Sequence, residues 1–140
     1  MSKTATFREQ HARILGVANS MELRLAGTES PKAKASELRR LLSSLVGKLA
    51  VHLAMEDETL YPRLLAHADK KVAELAQRYI DEMGGLSTAV RAYADRWPTP
   101  AAIEQDREGF EKQTLDVLGA LKRRIRREDG ELYRLVDAEK

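Results

Sequence analysis

LAVHLAMEDETLYP, residues 49–62, sets Leu49, His52, Glu56 and Leu60 at spacings of three and four. That spacing puts all four on one face of an α-helix, the face that turns toward a core. The stretch has an echo in LKRRIRREDGELYR, residues 121–134. Leu49, Glu56, Asp57, Leu60 and Tyr61 recur 72 positions later as Leu121, Glu128, Asp129, Leu132 and Tyr133, but His52 is answered by Arg124. A glutamate is thus present twice and its histidine once.

Outward from this stretch, the same periodicity defines four helices. The first runs through Phe7, His11, Ile14, Ala18, Met21 and Leu25 and stops at Gly27. Ser30 is the expected N-cap of the second, with Pro31 at its first position, and the helix continues through Leu38, Leu42, Leu45, Leu49, His52, Glu56 and Leu60 until Pro62 breaks or kinks it. The third stripe is Val72, Ala76, Tyr79, Met83, Leu86, Val90, Tyr93 and Trp97, ended by the prolines of WPTPA. The last helix begins after Pro100 and passes through Phe110, Val117, Leu121, Arg124, Glu128, Leu132 and Leu135. No segment alternates with period two. These elements predict an all-α, up-down-up-down four-helix bundle, a single domain over residues 1–140.

Composition excludes several classes of function. Of 140 residues, 43% are hydrophobic and 33% charged, which suits a water-facing helical protein rather than a disordered or membrane chain. No apolar run is long enough for a membrane span and MSKTATFREQHARIL is not a signal peptide, so a cytoplasmic location is expected. A net charge of +2 gives no argument for nucleic acid or anionic lipid. KRRIRRE reads as a solvated helix face. The absence of cysteine leaves His, Asp, Glu and Tyr as the available ligands.

His11, His52, Glu56, Arg124 and Glu128 lie on the inward stripes, where a charge is costly unless paired or bound to a cation. Inward imidazoles and carboxylates from different helices are how bundles form metal sites, and this donor set suits iron, zinc or manganese. The alternative is a hydrogen-bonded polar core without an ion. Tyr61 and Tyr133 read as half-buried core residues with wet hydroxyls, the alternative being hydroxyls that donate toward the site; His67 reads as exposed, Glu22 and Glu82 as surface residues. Gly84 and Gly85 suggest close helix packing or a local bend.

His11 within FREQHARIL, the His52-x-x-x-Glu56 pair followed by LYP, the DEMGGL segment and the EDGELY ending together resemble the hemerythrin-like HHE cation-binding domain. The resemblance covers nearly the whole chain. It implies a four-helix bundle around a non-haem, usually di-iron, centre, with one histidine from each helix and a carboxylate from the second and fourth. By position it makes His11, His52, Glu56 and Glu128 metal ligands. Met83 and Arg124 stand where two further histidines belong, as non-ligands lining the site.

Arginine stays protonated and offers only donors, so Arg124 would bring positive charge to the glutamates in place of a metal. Two versions follow. In one, His11, His52 and one or both glutamates hold iron, mononuclear or still di-iron; in the other, the arginine neutralises the pocket and no metal binds. The first implies oxygen, nitric oxide or redox sensing, iron handling or stress regulation, with oxygen or nitric oxide as ligand. The second implies a metal-free module that regulates by binding a protein partner. A di-iron oxidative enzyme fits less well, because it needs the missing ligands.

Overall fold

The computed structural model describes residues 3–138. Four long helices, α1 (Ala5–Ala26), α2 (Pro31–Thr59), α4 (Lys70–Arg96) and α6 (Arg107–Arg127), are joined by short links that include α3 (Tyr61–Leu65) and α5 (Pro100–Gln105). After α6 comes a π-helical turn, Glu128–Leu132, and then α7 (Tyr133–Ala138). Among the described residues there is no strand. None of the helices described is long and apolar enough to cross a membrane.

The links are set by local chemistry. Ser30 caps α2 by accepting from Ala33 N, with Pro31 in the first turn as expected. Pro62 ends the long helix and starts α3. Asp69 caps α4 through Lys71 N, with His67, only partly buried, accepting the Asp69 N–H just before it. The expected last helix is two pieces, because Asp106 leaves helical geometry at φ −145°, ψ 73° and caps α6 by accepting from Gly109 N at 3.0 Å. A Cβ at Gly109 would run into that carboxylate.

Helix α1 packs on α2 and α6, and α4 packs on the same two, closing a ring of four. Neighbours run antiparallel. Lys34 reaches the Leu25 carbonyl at one end of the α1–α2 pair while His52 meets His11 near the other. Likewise Tyr93 bonds Thr114 and Tyr79 bonds the Arg127 carbonyl across α4 and α6.

The apolar interior falls into two clusters. One includes Ile14, Met21, Leu42, Leu45, Tyr93, Trp97, Phe110 and Leu118; the other includes Phe7, Leu60, Leu64, Tyr79, Leu132, Tyr133 and Val136. Buried polar residues fall between them: His11 on α1, His52 and Glu56 on α2, and Arg124 with Glu128 at the end of α6. Met83, also buried, occupies that level on α4.

Three expectations are corrected. Leu135 is 40% exposed and Val136 is buried in its place. The Tyr133 N–H bonds the Glu128 carbonyl, five residues back, and the extra residue in that turn rotates everything after it. Tyr61 and Tyr133 are not half-buried but 4% and 0% exposed. Gly84 and Gly85 serve no close packing, since a Cβ on either would meet nothing within 4 Å. Gly84→Ala and Gly85→Ala should therefore each stabilise the fold by about 0.5–1 kcal/mol, the helix-interior penalty of glycine. The check is a higher urea midpoint with unchanged slope.

Candidate metal centre

His11, His52, Glu56 and Glu128 are 1%, 1%, 0% and 0% exposed, so whatever satisfies their polarity lies within the bundle. His11 Nδ1 faces Asp129 Oδ1 at 2.8 Å, and His52 Nδ1 faces Gln10 Oε1 at 2.7 Å. Both partners are acceptors, so both Nδ1 atoms carry the hydrogen and both Nε2 atoms turn a lone pair inward. Those two lone pairs meet at 2.9 Å. Glu56 Oε1 lies 3.0 Å from His52 Nε2, and Glu128 Oε1 lies 3.5 Å from His11 Nε2. Neither oxygen has a hydrogen-bond partner.

Four electron-pair donors crowded together repel unless something positive sits among them. Atoms bound about 2.1 Å from one small cation stand about 3–3.5 Å apart, and the separations between neighbouring donors here, 2.9, 3.0 and 3.5 Å, are close to that. His11, His52 and Glu128 have ligand atoms all within 4.8 Å of one another. The residues present could hold a metal ion, and without one the same space needs hydrogens: one between the two Nε2 atoms and one on the glutamate pair. Glu56 takes the latter, because burial and then the Glu128 charge push its carboxyl up to about 10. Burial acts on Glu128 too, but the neighbouring His11, the proton on Glu56 and the Arg124 charge outweigh it and lower that carboxyl to about 2. Burial, then His11, lowers His52 to about 4.

Arg124 is inside this layer, 5% exposed, rather than at the bundle edge. Its Nη2 donates to the Tyr79 carbonyl at 2.6 Å, its Nη1 to Glu82 Oε2 at 3.3 Å, and its guanidinium lies 4.3 Å from the centre of the Tyr79 ring. The Nε atom, buried and without a hydrogen bond, lies 3.6 Å from Glu128 Oε1. The flanking Arg123, Arg126 and Arg127 are exposed, so the basic residues of KRRIRRE form a solvated face from which Arg124 alone is buried.

The step of 72 extends beyond the opening repeat. It relates His11 to Met83, Gln10 to Glu82 and Phe7 to Tyr79. The related residues do related things. Gln10 supports His52 as Glu82 supports Arg124; the Phe7 ring lies 6.1 Å from the His52 ring as the Tyr79 ring underlies Arg124. Tyr61 donates to Glu128 Oε2 at 3.2 Å, and Tyr133 donates to Glu56 Oε2 at 2.7 Å, each tyrosine serving the glutamate of the other half. Two helix pairs thus form an approximately two-fold site with imidazoles in one half and a guanidinium and a thioether in the other.

The family model of the hemerythrin HHE cation-binding domain matches residues 2–136. The chain belongs to that family. Comparison with curated proteins and with solved structures gave no match. In this hemerythrin HHE domain the periodicity located His11, His52, Glu56, Glu128 and Arg124 in one layer. It missed the roles of Gln10, Asp129 and Glu82, although extending the repeat to the first and third helices would have paired Gln10 with Glu82, and of its two readings of the tyrosine hydroxyls the one that turns them toward the site holds.

Glu56 makes the metal-free layer sensitive to pH. A carboxyl raised from 4.5 to about 10 binds a proton that the unfolded chain has already released, so its contribution to stability falls as pH rises from 4.5 toward 10. Glutamine at this position is neutral and can accept from Tyr133 while donating to Glu128. In EDTA at pH 7, Glu56→Gln should stabilise the fold by at least about 1 kcal/mol, one pKa unit being 1.36 kcal/mol. The gain should vanish below pH 4.5, and a pH series of denaturant melts measures both.

Proposed function

We propose that this chain is a single-ion hemerythrin-like protein that senses oxygen, nitric oxide or redox state, rather than a di-iron oxygen carrier. The observation that carries the reading is Arg124: at the position related to His52, a buried guanidinium places its Nε 3.6 Å from Glu128 Oε1 and so supplies one of the two cations, leaving one position for a metal. His11 Nε2, His52 Nε2 and the inward oxygens of Glu56 and Glu128 would hold the ion. Two imidazoles with carboxylates form a donor set well suited to Fe(II).

When bound, iron supplies a one-electron couple and affinity for a small diatomic ligand. The protein's own part is to fix the donors and exclude water. Asp129 and Gln10 lock the imidazole tautomers, Tyr61 and Tyr133 orient the carboxylates, and the two apolar clusters seal the layer above and below. Glu128, Asp129 and Tyr133 all belong to or adjoin the π turn. A change of charge at the ion would thus act directly on the turn that carries α7, which is how a local event can reach the surface.

Purified without chelators from iron-supplemented cells, the protein should contain one iron per chain, and Met83→His combined with Arg124→His should raise this toward two. Fe(II) uptake should release about two protons, those that hold the metal-free layer together, seen by calorimetry in buffers of different ionisation enthalpy. Asp129→Asn, which keeps the shape but weakens the support of His11, should cost about 10–100-fold in iron affinity. No iron, even after anaerobic reconstitution, would sink the reading and leave the metal-free interaction module; two irons in the wild type would mean Arg124 does not hold the second position.

A further inference from the structure

The approximate two-fold relation assigns a role to a residue that periodicity places only in the core. In the second half the cation is a protein group. The Tyr61 oxygen accepts a hydrogen bond from Arg124 Nη2 at 3.4 Å and donates to Glu128 Oε2 at 3.2 Å, so it touches both the guanidinium and the carboxylate beside it. Tyr133, related to Tyr61 by the step of 72, makes the matching approach in the first half. Its oxygen is 2.7 Å from Glu56 Oε2, 3.2 Å from His11 Nε2 and 3.4 Å from His52 Nε2. The last two fall within the separation of about 3–3.5 Å expected of donors sharing one ion. Tyr133 is fully buried, and its ring stacks on His11 with centroids 5.1 Å apart.

We propose that the Tyr133 oxygen is itself a ligand of the ion, a phenolate donor to ferric iron beside His11, His52 and the glutamates. The inference rests on the single-ion reading above. On binding, the phenol O–H bond breaks and an oxygen–iron bond forms. The proton now donated to Glu56 leaves to solvent, and no protein group is oxidised. Tyr61 plays the corresponding part toward Arg124, where a hydrogen bond replaces the coordinate bond. A hard anionic oxygen favours the ferric over the ferrous state, which suits a site that rests oxidised and responds when reduced.

The test is to load wild type anaerobically with Fe(II), oxidise it with ferricyanide, and record metal content, visible absorption and resonance Raman spectra. A phenolate ligand gives ferric iron an intense visible charge-transfer band whose excitation enhances tyrosine ring vibrations. Tyr133→Phe should abolish both signals while still binding one iron; Tyr93→Phe, whose hydroxyl meets Thr114 away from the site, should retain them. Iron-loaded wild type without enhanced ring vibrations overturns the assignment irrespective of how any variant folds, and reduces Tyr133 to a hydrogen-bond donor that orients Glu56. Signals that survive in Tyr133→Phe overturn it as well. Wild type that holds no iron overturns the single-ion reading and this inference with it, so metal content separates the two failures.

Discussion

Charge balance in a sealed layer is the constraint on which this structure depends. His11, His52, Glu56, Arg124 and Glu128 are cut off from water by apolar clusters on both sides, where an unbalanced charge would cost several kcal/mol. Each half of the layer therefore needs a cation. On the Arg124 side the cation is covalently part of the chain; on the His52 side it is either protons or an ion. Glu56 Oε1, Glu128 Oε1 and Arg124 Nε, buried without a hydrogen-bond partner, are the unsatisfied remainder of this arrangement. Natural cores tolerate few such atoms, and their concentration at one level distinguishes this layer from ordinary packing.

The supporting groups show that the layer is organised as a site rather than as an accidental polar core. Each imidazole is held from behind by an acceptor, and each carboxylate receives a hydroxyl from the opposite half. Arg124 receives the same treatment, with a ring beneath it and Glu82 at its tip. The second half, without imidazoles, thus keeps the supporting architecture of the first. Glu82, exposed as its position suggests, is nonetheless the outer anchor of a buried guanidinium and of Arg127 as well, at 2.5 Å.

Most of the bundle was legible because an amphipathic helix writes its buried face into the sequence at a fixed period. Every stripe residue of α2 named from periodicity is buried, and the proline and glycine punctuation marks the links. The period is also where legibility ends. A reading that assumes 3.6 residues per turn has no place for a five-residue turn, so it put Leu135 inward and did not see that consecutive residues, Glu128 and Asp129, address the two nitrogens of one imidazole. The paired glycines misled for another reason: a missing side chain signals close approach only if something approaches, and nothing does.

Sequence alone determined the helical class, the order of the helices, and the identity of the groups forced into the core, because side-chain polarity and spacing decide which face of a helix avoids water. It also disclosed the broken repeat, His52 against Arg124. Tertiary structure decided how those groups meet: that two Nε2 atoms converge, that Arg124 turns in rather than out, and that the tyrosines cross to the opposite half. Those outcomes depend on the rotation of each helix and the direction of each hydrogen bond, quantities set by contacts between residues as far apart as His11 and Asp129. No local pattern encodes them.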